Sequence, residues 1–146
     1  MRPIYETEDY HKAERKVIDK ICHGWRCDAV KLPIKYALDY ALVREGNVIA
    51  WAEVKIRESY TFDQLDKMGG YMLALAKWQM ANSLTAVSKK PFVLVVKAGD
   101  EVRAASYQEL PTFDAAISGR TTKSRGDWQD IEPCIFIPID EFQWRF

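Results

Sequence analysis

The stretch from Tyr36 to Arg57, YALDYALVREGNVIAWAEVKIR, constrains the fold most, because it reads as two strands joined by a tight turn at Glu45, Gly46 and Asn47. Successive strand residues face opposite ways, and the even-numbered positions Tyr36, Leu38, Tyr40, Leu42, Val48, Ala50, Ala52, Val54 and Ile56 are all apolar. One face of the hairpin is therefore built for burial. The other carries Asp39 on the first strand and Glu53, Lys55 and Arg57 at the far end of the second.

Register decides whether those charges meet. A three-residue loop, with Gly46 or Asn47 in the left-handed conformation, pairs Arg44 with Val48 and sets Asp39 directly across from Glu53. A two-residue Gly46-Asn47 loop sends the two carboxylates to opposite faces and mixes apolar with polar positions, so the three-residue loop is expected. Carboxylates facing each other across a ladder repel. A divalent cation bound by both is the economical compensation, and Lys55, two residues along the same face, adds positive charge beside them. Such a group suits phosphodiester chemistry.

Asp39, thirteen intervening residues and then Glu53-Val54-Lys55 resembles the motif of the PD-(D/E)xK nuclease superfamily, with Leu38 where the motif's name has proline. The resemblance implies an α/β, restriction-endonuclease-like fold, a central mixed sheet of four to five strands flanked by helices. It implies hydrolysis of DNA by metal-activated water, with Mg²⁺ or Mn²⁺ held by Asp39, Glu53 and the backbone carbonyl of Val54. Lys55 would position or help deprotonate the water and stabilise charge developing on the phosphate. A phage or bacterial source and a homodimer are in keeping with it. Two other readings stand beside the nuclease: a catalytically silent module of the same fold that binds DNA or protein, and a Holliday-junction-type resolvase.

Residues Thr7 to His23 have helical spacing, with Tyr10, Ala13, Val17, Ile18 and Ile21 on one face and Glu14 among them. In the resembled superfamily a glutamate on the first helix often completes the metal site. Glu14 is thus either a ligand, direct or through water, or a charge at the edge of the face whose side chain reaches solvent. Glu6 is the fallback.

At 146 residues and 48% hydrophobic, the chain is expected to form one domain over 1–146. Its 21 basic and 21 acidic residues cancel, which argues against a histone-like binder and requires any DNA contact to be local. The absence of a membrane-length apolar run and of a signal-peptide core in MRPIYETEDYHK points to the cytoplasm of a bacterial or phage-infected cell. Cys22, Cys27 and Cys134 are too few and odd in number for a disulfide framework. Cys22, His23 and Cys27 lack a nearby fourth ligand for zinc and read better as buried groups at a helix end.

Further along, WRCDAVKL at Trp25 to Leu32 alternates loosely like a strand. Thr61-Phe62-Asp63-Gln64 has the form of a capping box opening a long helix, with Leu65, Met68, Met72 and Leu75 on its inner stripe and Gly69-Gly70 in its middle. Some relatives carry a glutamine and a tyrosine on this helix, which makes Gln64 a cap first and a substrate-facing residue second, and Tyr71 a packing residue. Phe92 to Lys97 reads as a central strand reached by a parallel crossover, and Val102 to Tyr107 as an outer antiparallel strand. Cys134 to Ile139 reads as an edge strand marked by Pro133 and Pro138. The segment SGRTTKSRGDWQD places Arg120, Lys123 and Arg125 for phosphates and Trp128 for stacking on a base, against the plainer reading of a solvated loop. Trp144 and Phe146, or the exposed side of the long helix, are candidates for a dimer contact.

Overall fold

The computed structural model describes residues 8–33, 38–119 and 131–146. Its order is α1 (Glu8–Trp25), β1 (Asp28–Lys31), β2 (Tyr40–Arg44), β3 (Asn47–Arg57), α2 (Phe62–Lys67), β4 (Tyr71–Ala74), α3 (Leu75–Ser88), β5 (Phe92–Ala98), β6 (Glu101–Tyr107), β7 (Ala115–Gly119), β8 (Ile131–Ile137), a 3-10 turn (Ile139–Glu141) and β9 (Trp144–Arg145). The fold is α/β. A mixed sheet in the order β1-β2-β3-β5-β6-β9 has helices on its faces, and a second sheet runs β4-β8-β7.

The main sheet thus has six strands rather than four to five, because two short strands extend it. β1 pairs antiparallel with β2, and the two-residue β9 pairs with β6. As the apolar run of Phe92 to Lys97 predicts, β5 lies parallel beside β3 and is buried nearly throughout. Alternation along the strands supplies both faces with apolar side chains. Val17, Ile18, Ile21 and Cys22 of α1 pack on Tyr40, Leu42, Ala52, Val54, Val93 and Val95. On the opposite face, Phe92, Leu94 and Val96 meet Phe62, Leu65, Trp78 and Ala81 of the other helices and Leu73, Ile135 and Ile137 of the second sheet.

The expected long helix is broken. Thr61 and Gln64 do form a capping box, but α2 stops after Lys67, where the Gly69 amide donates to the Asp66 carbonyl at 3.0 Å and the Gly70 amide to Leu65 at 2.9 Å. These are the two hydrogen bonds of a Schellman ending, and both glycines take positive φ, +101° and +120°. The chain then runs as β4 before α3 begins, and Met68 is exposed instead of lying on an inner stripe.

Two other expectations need correction. The hairpin turn contains Glu45 and Gly46, both at positive φ, and Asn47 already pairs with Arg44 in the ladder. A bulge then shifts the register, so that Val43 pairs with Val48 but Leu42 with Ala50 and Tyr40 with Ala52. The extra residue, Ile49, restores the alignment that the three-residue loop was expected to provide. β8, read as an edge strand, lies between β4 and β7; Pro133 is tolerated where the pairing with β4, which starts at Cys134, has run out.

Trp144 and Phe146 pack within the chain, each edge-on to Trp25 with ring centroids 5.4 Å apart. Cys22 and Cys134 are buried and Cys27 is partly buried, all with free thiols; burial beside Cys27 pushes the Cys22 thiol up to about 12. No helix among the described residues is long and apolar enough to cross a membrane.

Candidate functional site

Asp39 is the centre of the site. It stands just before β2 begins, where its amide donates to the Ala52 carbonyl at 3.2 Å and its carbonyl accepts from Leu32 at 2.8 Å. Its side chain bends across to β3, so that the Val54 amide donates to Oδ2 at 2.9 Å. The restored register continued one residue beyond Tyr40 and Ala52 brings Asp39 beside Glu53.

Glu53 is 1% exposed, on the β3 face that packs toward α3. Lys77 of α3 brings Nζ to 2.7 Å from Oε2, yet neither carboxylate oxygen of Glu53 has an aligned hydrogen bond. Burying a carboxylate in this way penalises its charge. Burial, with Asp39 adding to it, pushes Glu53 up to about 8, against the opposing charges of Lys55 and Lys77. Burial also works against the Asp39 carboxylate, but the neighbouring Glu53 carboxyl, the Val54 amide and the charges of Lys31 and Lys55 outweigh it and hold Asp39 below the ordinary range. Of the two neighbours, Glu53 therefore keeps the proton and Asp39 the charge.

Lys55 follows on the same face of β3, partly buried, its charge acting on both Asp39 and Glu53. Glu14 is also 1% exposed, but it approaches from α1, on the other face of the sheet, beside Tyr40. It is not an edge charge. Lys31 of β1 joins it to the centre, with Nζ 2.9 Å from Glu14 Oε1 and 3.4 Å from Asp39 Oδ1. Glu14 Oε2 is buried without a hydrogen bond, and burial, with the charge of Asp39, raises the pKa of this carboxyl.

The structure thus brings together Asp39, Glu53, Val54 and Lys55, with Glu14 linked through Lys31. Gln64 stands apart from them: its side chain accepts from the Thr61 amide at 2.8 Å at the start of α2. Tyr71 is buried, with the Arg57 guanidinium 5.4 Å from its ring centre, and burial, with Glu53 nearby adding to it, raises the pKa of its hydroxyl. Arg120, Lys123, Arg125 and Trp128 fall outside the described residues, as does Glu6.

Sequence reading missed Lys31 and Lys77, which no local spacing connects to the carboxylates. Lys77 carried a signal: it is the sole charged residue between Lys67 and Lys89.

The proton on Glu53 has a consequence for stability. Between its ordinary value of 4.5 and about 8 the folded protein retains a proton that the unfolded chain releases, so this group's contribution to stability falls as pH rises through that window. In a chelating buffer, Glu53→Gln is expected to melt above wild type at pH 8 and to lose that advantage toward pH 5. Parallel melting curves across the pH range would speak against the assignment.

A family described as "Phage putative PDDEXK endonuclease" matches residues 1–144 of the chain. A search of curated proteins finds no match.

Proposed function

The chain belongs to the phage PDDEXK endonuclease family, and from that premise we propose that it is a metal-dependent nuclease hydrolysing DNA phosphodiester bonds on a restriction-endonuclease-like core. The observation that carries this reading is the pair Asp39 and Glu53, two neighbouring carboxyl groups, one just before β2 and one on β3, with Lys55 next on the same face of β3. The order α1, β1, β2, β3, helix and then β5 parallel to β3 supports the core assignment.

Among the described residues no three potential ligand side chains form a ready-made cation site, so the fit to a hard divalent cation rests on the Asp39–Glu53 pair and the Val54 carbonyl. Buried carboxylate oxygens without hydrogen bonds are costly, and Glu53 and Glu14 both have them. Asp39 and Glu53 would hold Mg²⁺ or Mn²⁺ with the Val54 carbonyl, and Glu14 would contribute from the α1 side, since all-oxygen donors suit these ions. When bound, the ion supplies Lewis acidity at the phosphate and brings the pKa of a water toward neutrality.

The protein's own groups do the rest. The Val54 amide fixes the rotation of the Asp39 carboxylate, so that one oxygen is anchored on the strand. Lys55 holds the attacking water by hydrogen bonding and places its ammonium where negative charge builds on the phosphate. Its action in a bacterial cell infected by phage is part of the same proposal.

The test is incubation of supercoiled plasmid, linear duplex, single-stranded and four-way-junction DNA, and RNA, with Mg²⁺ or Mn²⁺. Plasmid nicking that chelator stops, and that Asp39→Asn lowers at least about a hundredfold, is expected. Nicking that survives chelator, or an Asp39→Asn variant as fast as wild type, would overturn the reading. Cleavage confined to the junction would narrow it to a resolvase.

A further inference from the structure

We propose that Lys31 and Lys77 are exchangeable counterions: each ammonium holds a metal-ligating carboxylate until a divalent cation displaces it, and then turns to the phosphate of the nucleic acid. This rests on the nuclease reading above and assigns roles to two residues outside its motif.

The two lysines occupy the oxygens that a cation would need. Lys77 Nζ lies 2.7 Å from Glu53 Oε2, and Lys31 Nζ lies 2.9 Å from Glu14 Oε1 and 3.4 Å from Asp39 Oδ1. An oxygen in close contact with an ammonium is a poorer ligand for a second cation. The attachment is nevertheless of a kind that can be given up. Lysine is a point charge on a flexible four-carbon stem, without the fork that would lock it onto a carboxylate. The Lys77 contact is short but too poorly aligned to count as a hydrogen bond for Glu53. Both lysine side chains reach solvent, at 28% and 38% exposure, while Glu53 and Glu14 are at 1%. The cations therefore have a way out that the carboxylates do not.

Charge balance gives the direction of the exchange. Glu14, Asp39 and Glu53 are matched in number by Lys31, Lys77 and Lys55, so a divalent cation that takes the place of the Glu53 proton leaves a surplus of positive charge on the group. A phosphodiester is the anion that meets it. Lys77 is also held where it can serve: its neighbour Trp78 is buried, and Trp78 Nε1 donates to the Pro111 carbonyl at 3.2 Å, which fixes this turn of α3.

Two affinities test the exchange: Mn²⁺ by calorimetry, and a cleavage-resistant phosphorothioate duplex by fluorescence anisotropy in Ca²⁺. Lys77→Met is expected to bind Mn²⁺ about tenfold tighter and the duplex about tenfold more weakly than wild type, with Lys77→Arg returning both toward wild type. Lys31→Met is expected to move both in the same directions, and it carries the test if melting curves show that Lys77→Met does not fold. A residue that merely braces α3 against the sheet would lower stability without tightening Mn²⁺. Mn²⁺ binding equal to or weaker than wild type in both methionine variants overturns the exchange and leaves the nuclease reading intact. If neither wild type nor variants bind Mn²⁺, both fail. Tighter Mn²⁺ with unchanged duplex affinity overturns the turn toward phosphate.

Discussion

Lys55→Ala is expected to lower metal-dependent plasmid nicking about a thousandfold while the protein stays folded. Both halves follow from where the side chain sits. Lys55 is partly buried on β3 and acts on Asp39 and Glu53 through its charge, but among the described residues it makes no ion pair within 4.0 Å. Truncation therefore strands no salt-bridge partner, and the melting temperature should move by no more than a few degrees. What is lost is the motif's cation, which, unlike Lys31 and Lys77, is not held on a carboxylate at contact distance among the described residues and is well placed to meet charge developing on phosphate. Removing a positive charge should also leave Mn²⁺ binding at least as tight as in wild type. Initial nicking rates, melting curves and Mn²⁺ calorimetry on the same preparations separate these effects. A variant that nicks at more than about a tenth of the wild-type rate removes Lys55 from the chemistry.

The face shared by Asp39 and Glu53 was legible because strict alternation over a long hairpin leaves only one register with an unbroken apolar face. The means of reaching it was not. Glu45 takes positive φ beside Gly46, and Ile49 forms the bulge, yet nothing in either side chain announces these roles. Elements a few residues long are hidden for a related reason. β4 and β9 are too short to display a period, and Met68, Met72 and Leu75 mimic a helical stripe across the Gly69-Gly70 break. Lys31 and Lys77 reach the carboxylates only through tertiary packing, so even the isolation of Lys77 in its segment could mark it as unusual without naming its partner.

Gly70→Ala is expected to cost about 3–5 kcal/mol, enough to lower the melting temperature by roughly ten degrees or more. Gly70 has φ +120°, a conformation that side chains of L-residues rarely adopt. A Cβ there would stand 2.4 Å from the Ile137 carbonyl oxygen and 2.8 Å from its carbon. These are backbone atoms of β8, and Ile137 is paired with Tyr71, the residue after the glycine, so neither strand can yield without breaking the ladder. Gly46 is the control. It too has positive φ, +78°, but a Cβ there meets nothing within 4 Å, so Gly46→Ala should cost only about 1 kcal/mol. Urea denaturation of the two variants beside wild type measures the difference, and equal losses would show that the close approach to β8 contributes nothing. The effect should reach the site as well. The Gly69-Gly70 break ends α2 and starts β4, and β4 leads directly into α3, which carries Lys77 to Glu53. Any Gly70→Ala protein that remains folded should therefore have a disturbed Lys77–Glu53 contact, and its nicking rate should fall while Gly46→Ala keeps the wild-type rate.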